Sequence, residues 1–151
     1  MDKKGITPLM ATFLLISFAV AVGVVVMNLG RAQVESEAEC PVNIGLEFSV
    51  ISGEDQICYD AGKNDLSFTL ENGINTDVNG LVVNIIGAER AETFEINSKI
   101  IKAGVYLGHV NYDSSVSGEI RQVKISPKVT LYDEEEVCVD QALVVENIKP
   151  C

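Results

Sequence analysis

The stretch from Asp2 to Gly30, DKKGITPLMATFLLISFAVAVGVVVMNLG, decides what kind of fold this chain has. From Ile6 to Leu29 it holds no charged residue, and as a helix that run is about 36 Å long, enough to cross the hydrocarbon core of a bilayer. Pro8 falls near the first turn, where its missing N–H costs nothing, so it starts a helix and does not break one. The run of valines from Val20 to Val26 is a mediocre helix former in water. In lipid the backbone must satisfy its own hydrogen bonds, and helix wins. Lys3 and Lys4 precede the run and an acidic region follows it, which puts the N-terminus in the cytoplasm and the rest outside.

Charge is distributed unevenly. The chain has 151 residues with 11 Lys+Arg against 22 Asp+Glu, and from Ala32 onward there are 8 basic and 21 acidic residues, a net of -13. A phosphate-tracking nucleic-acid binder needs a basic surface, so no nucleic acid is expected as a partner. The acidic balance suits a water-exposed domain kept from clumping by like charge. The length fits one ordinary domain plus its apolar tail.

Beyond residue 40 the hydrophobic period changes. Val42, Ile44, Leu46, Phe48 and Val50 alternate strictly with polar residues, the pattern of a strand with one buried face. Strand-length apolar runs then recur: QICY, DLSFTLE, GLVVNIIG, ETFEIN, KAGVYLGHVNY, EIRQVKIS, KVTLYD, EVCVD and ALVVENI, punctuated by Gly, Asn, Asp, Ser and Pro. The fold class expected is α+β by content: a long N-terminal hydrophobic helix followed by an all-β, Ig-like sandwich of roughly seven to nine strands. Phe48, Phe68, Phe94 and Leu131 are the expected core positions. RAQVESEAE, residues 31–39, is expected to prolong the helix by a turn or two before Cys40-Pro41 stops it.

The four cysteines, Cys40, Cys58, Cys138 and Cys151, are widely spaced and even in number, which favours disulfides and an extracytoplasmic setting over a zinc site or buried free thiols. Three pairings are possible. The strand-like settings of Cys58 and Cys138 favour joining those two, with Cys40 joined to Cys151.

Motifs for chemistry are sparse. NTDVNG, residues 75–80, imitates the first half of an EF-hand loop, but its twelfth position is Ile86 where a bidentate carboxylate is needed, so it reads as a hairpin turn using Asn and Gly. DEEE, residues 133–136, reads as an acidic hairpin tip in water. His109 is the only histidine, so a Ser-His-Asp relay or a zinc site would have to be built around it. Phosphate-binding glycine loops are missing, and Asn75-Thr76-Asp77 and Asn97-Ser98-Lys99 fall short of the glycosylation sequon. No catalytic residues, no metal and no cofactor are expected, and the chain is not read as an enzyme.

A secretory signal would have a shorter apolar core and a small-residue cleavage site after it, whereas MNLGRAQVESEAEC offers no A-x-A. KKG before ITPLMATFLL resembles the class III signal of archaeal type IV pilins, and GITPLMATFLLISFAVAVG is similar to the stretch those pilins share. The resemblance implies a prepilin peptidase as a partner, with Lys3, Lys4 and Gly5 recognised and the cut made between Gly5 and Ile6. Met10 stands where bacterial type IV pilins have a Glu, which points to the archaeal branch. On this resemblance residues 1–5 are a signal, 6–39 a membrane-spanning helix that becomes a filament core, and 40–151 an extracellular domain. The implied function is a structural subunit of a cell-surface filament, a homopolymer that resides in the membrane before assembly and serves adhesion more than motility. The alternative from another class is a monomeric, membrane-anchored Ig-like binding module.

Overall fold

In the computed structural model the description covers residues 6–35, 40 and 43–151, and the chain divides into two compact units, Met1–Ala38 and Glu39–Cys151. The first is the helix α1, Ile6–Glu35, of 30 residues. It continues through the polar residues 31–35 beyond the apolar run, and residues 36–39 of the expected extension lie outside the described residues.

The second unit is β-rich. In chain order it contains β1 (Glu47–Phe48), β2 (Val50–Ile51), β3 (Glu54–Asp55), β4 (Ile57–Asp60), β5 (Asp65–Glu71), β6 (Gly80–Gly87), β7 (Ala91–Ile96), β8 (Val105–Asn111), a one-turn helix α2 (Ser114–Ser117), β9 (Ile120–Leu131), β10 (Glu134–Val137), a 3-10 turn (Val139–Gln141), β11 (Leu143–Glu146) and β12 (Lys149–Pro150). One five-stranded sheet runs β8-β5-β4-β12, with β1 pairing β5 beyond the end of β4. The other runs β7-β6-β9, and both β10 and β11 pair with β9. All these pairs are antiparallel except β12 with β4. Leu66, Phe68, Leu70 and Val110 from the first sheet join Leu81, Val83, Ile85, Val123, Ile125 and Val129 from the second in one apolar core.

Period-two patterning explains most of this. β5 alternates half-buried and buried residues along Asp65–Leu70, so its odd members face outward and its apolar ones face the core. Of the alternation expected from Val42, Val42 itself lies outside the described residues. The pattern holds at Ile44, Leu46 and Phe48, all buried, and fails at Val50, which is 58% exposed. There the chain leaves the sheet: β2 and β3 form a separate hairpin turned by Ser52 and Gly53, both at positive φ. At its base Gln56 N–H donates to Ser49, while Ser49 and Gln56 both bond Thr69 of β5. The hairpin is therefore an insertion into one strand that runs β1 to β4 along the same edge of β5.

The two expected strands EIRQVKIS and KVTLYD are one strand, β9, running through Pro127. Pro127 is tolerated because β10 pairs only as far back as Lys128 and β11 begins at Ile125. The gap between them is filled by Cys138, whose N–H donates to the Pro127 carbonyl at 2.8 Å. A strand residue points its N and its O to the same side, so the missing N–H of Pro127 faces this gap, where no partner strand awaits a donor.

Residues 75–80 are not the hairpin turn expected. None of them has positive φ; they cross from β5 to β6, with Val78 bridged to Ile100 and Asp77 accepting from the Lys102 N–H. Asn72 fixes this crossing by donating through Nδ2 to the carbonyls of Thr76, Ile100 and Ile101.

The cysteine pairing also differs from expectation. Cys40 joins Cys138, and Cys58 joins Cys151, with Cα separations of 5.6 and 4.9 Å. Cys58 pairs across the ladder with Ser67 and so lies on the outer face of its sheet, beside β12. Cys138 is not in a strand; it lies fully buried where β10 turns into the 3-10 segment. An outward cysteine of one sheet and a buried one beyond the edge of the other cannot meet. Cys138 instead fixes the incoming chain through Cys40, with the Ile44 N–H donating to Gln141 Oε1 nearby.

Candidate functional site

The longest chemically uniform surface of the chain is α1. Over Pro8–Met27 its mean hydropathy is 2.7, and the segment is long and apolar enough to cross a membrane. Its large apolar side chains from Leu9 to Met27 are between 44% and 75% exposed, with no buried side among them. At 100° per residue Ala19 and Gly23 share one face, and Ser17 and Ala21 lie about 160° away on another. Each pair is spaced small-xxx-small, the spacing that lets helix backbones approach closely in an apolar solvent. A Cβ added at Gly23 would meet nothing within 4 Å. The Thr12 hydroxyl is satisfied locally, donating to the Leu9 carbonyl at 2.8 Å. Of the expected processing residues, Ile6 is the first described residue of α1, and Lys3, Lys4 and Gly5 lie outside the described residues.

The β domain brings together a triangle the sequence could only hint at. Asp65 and Ser67 on β5 face His109 on β8, because Ser67 and His109 are register partners. His109 Nδ1 lies 3.1 Å from Asp65 Oδ2 and 3.3 Å from Ser67 Oγ, and Ser67 Oγ donates to the same carboxylate oxygen at 3.0 Å. A nucleophilic relay needs serine on one ring nitrogen and carboxylate on the other. Here both crowd Nδ1 on an exposed sheet face, so the ring passes no proton between them. The arrangement holds the Asp65 carboxyl below the usual carboxylate range, chiefly through the hydrogen bond from His109 and against a smaller opposing effect of burial.

A groove of about 310 Å³ runs over this face, lined by Glu54, Asp55, Ser67, Leu107, His109 and Lys149. The Lys149 ammonium bonds Glu54 at 2.5 Å across one end of it. On the second sheet, Lys128 lies almost buried between edges, bonding Glu95 of β7, Glu135 of β10 and Asn97. The Glu95 carboxylate, more than any other group, raises the Lys128 pKa. Gly80 beside it makes room for the neighbouring strand, since a Cβ there would lie 2.7 Å from the Ile96 carbonyl.

Asp133–Glu136 form a hairpin tip between β9 and β10, with Tyr132 and Asp133 at positive φ. Glu135 of that run is engaged by Lys128. Among the described residues no group of three or more His, Cys, Asp or Glu is placed to hold a metal ion. No family model, no curated protein and no solved structure matches this chain.

Proposed function

We propose that this protein is a structural subunit of an archaeal type IV pilus-like filament, polymerising through α1 and displaying an Ig-like β-sandwich for surface attachment. The observation that carries the reading is the long helix α1, apolar and unburied over Pro8–Met27, in a sequence whose uncharged run from Ile6 to Leu29 directly follows Lys3-Lys4-Gly5. In a bilayer its side chains meet lipid. On extraction they bury the same surface against copies of the helix, and at about 25 cal/mol per Å2 burying some twenty side chains makes a nearly irreversible polymer. The two disulfides fit an oxidising, extracytoplasmic setting for the β domain. The Ig-like reading rests on two sheets, antiparallel but for the short β12–β4 pair, that share a single core.

Mass spectrometry of the native protein and electron microscopy of the cell surface test the proposal together. A mature N-terminus at Ile6 and visible filaments are expected. Retention of Met1, without filaments, would favour the single-pass anchored module instead. A carboxylate in the helix middle, Ala19→Glu, should abolish filaments while the β domain keeps both disulfides, because an ionised group there has no partner in a helix bundle. Intact filaments from that variant would overturn the proposal.

A further inference from the structure

The two disulfides lie in unlike settings. Cys138 is fully buried, and its partner Cys40 is half-buried. Cys58 is half-buried on the outer face of its sheet, and its partner Cys151 is exposed. Thiol–disulfide exchange needs a thiolate to reach one sulfur while the other sulfur departs as a thiolate. At the second bridge the reached residue is exposed, and the departing one lies against open space, since Cys58 and Cys151 both line the groove of about 310 Å³. At the first, attack on Cys40 would strand the Cys138 thiolate in the apolar core, where an unpaired charge is costly.

The second bridge also closes a segment that little else holds. After β11, which pairs with β9 of the second sheet, the chain turns at Asn147, at positive φ, and crosses to β4 of the first sheet. Ile148 packs against the core at this crossing. Lys149, Pro150 and Cys151 then form a strap along β4, all three exposed and none of them part of the core. Its ladder is two residues long, and Pro150 has no N–H to give it. Beyond the ladder, the Cys151 N–H donates to the Tyr59 carbonyl at 3.2 Å. The Lys149 ammonium meets Glu54, but those side chains are 64% and 63% exposed, and a pair so exposed contributes little. Glu54 belongs to the hairpin of β2 and β3, so the strap ties that hairpin down as well.

We infer that the Cys58–Cys151 bridge is a site of thiol–disulfide exchange with a dithiol, and that opening it releases the strap Lys149–Cys151 from β4 while the β domain stays folded. One thiolate of the dithiol attacks the Cys151 sulfur. A mixed disulfide forms, the bond to Cys58 breaks, and Cys58 leaves as a thiolate that takes up a proton. The second thiol loses its proton and attacks the dithiol's own sulfur in the mixed disulfide, which closes the dithiol to a disulfide and leaves Cys151 as a thiol. The dithiol is oxidised by two electrons and the bridge is reduced by two. The Cys40–Cys138 bridge stays closed. Released, the strap bares the outer edge of β4, Ile57–Asp60, and removes the wall that Lys149, Pro150 and Cys151 give the groove. An uncovered ladder edge is a place where another strand can add, so the exchange switches that edge between covered and open. The switch belongs to the β domain and holds whether or not α1 polymerises.

In the test, the full-length protein in detergent is titrated with dithiothreitol, alkylated with iodoacetamide and mapped by mass spectrometry, with amide hydrogen exchange read on the same samples. Cys58 and Cys151 should be alkylated at concentrations that leave Cys40 and Cys138 joined. Exchange should quicken over residues 57–60 and 149–151 while β6 and β9 keep their protection, and reoxidation should restore the slow exchange. Alkylation of Cys40 and Cys138 first, of all four together, or of none overturns the exchange site. Selective alkylation without quicker exchange over residues 57–60 overturns the strap, and lost protection in β6 and β9 shows that the domain does not stand without the bridge. The double variant Cys58→Ser with Cys151→Ser removes the bridge with no reductant present. It should fold with Cys40 joined to Cys138 and show the same quick exchange over residues 57–60, and either slow exchange there or failure to fold counts against the switch.

Discussion

Gly108 of β8 stands opposite Phe68 of β5, and a Cβ at that position would lie 2.3 Å from two atoms of the phenyl ring. Phe68 is 2% exposed and packed into the core, so the ring has nowhere to swing. Gly108→Ala should therefore cost about 1–3 kcal/mol as an overpacking change, measured by denaturant unfolding. Shrinking the ring in the background Phe68→Leu should recover part of that loss, a non-additivity expected of touching residues. Three aspartates at this scale contribute to the response to acid. Asp77 is held below the usual carboxylate range first by Lys99 and then by the Lys102 N–H, Asp113 by the Ser115 hydroxyl and N–H, and Asp65 by His109. A depressed folded pKa stabilises the fold above the ordinary value of about 3.8 and loses that contribution as pH falls through the folded value. Melting temperature should hold down to about pH 5 and drop below about pH 4. Asp77→Asn should melt lower at neutral pH and fall less steeply in acid. The sequence identified Phe48 and Phe68 as core residues, and both are buried. Phe94 and Leu131 only pack against the core from its rim, because alternation tells which face a side chain takes and not how far its strand lies from the edge of the sheet.

Strands were legible wherever one face of a segment is buried, since the period of two is local. DLSFTLE and GLVVNIIG match β5 and β6 residue for residue. Legibility failed where a residue type serves two ends. Asn and Gly in NTDVNG resemble turn chemistry, yet Asn79 lends its N–H to the Lys128 carbonyl and Gly80 yields space to the Ile96 carbonyl. Proline in EIRQVKISPKVTL resembles a break, yet the gap beside β9 accepts it. The inserted hairpin could not be seen at all, because Val50 completes an alternation that the chain abandons. At the β9–β10 turn the sequence places Tyr132 and Asp133 in a conformation that favours an Asn-Gly pair. The double substitution Tyr132→Asn with Asp133→Gly should stabilise the domain by about 0.5–1 kcal/mol in thermal melts, since relieved strain at φ > 0 outweighs the added freedom of the unfolded chain.

Across the whole molecule, the division into an apolar helix and a β domain was readable from the switch in hydrophobic period near residue 40. Cysteine pairing was not, because it depends on which sheet and which face each residue occupies, and those are set by contacts nearly a hundred residues apart. The two pairs span 98 and 93 residues, loops long enough that each bridge is expected to contribute about 4–5 kcal/mol on a chain-entropy basis. The bridges also limit how far the domain can be drawn out under tension. Pulled between Cys40 and Cys151, an unbridged chain would extend to roughly 390 Å. With the bridges closed, load crosses from Cys40 directly to Cys138, leaving about 13 residues, or roughly 45 Å, before Cys151. Single-molecule stretching between those ends should give that short extension, and a reducing agent should release the long one. A domain built this way resists tension as a closed link, whatever the stability of its sheets.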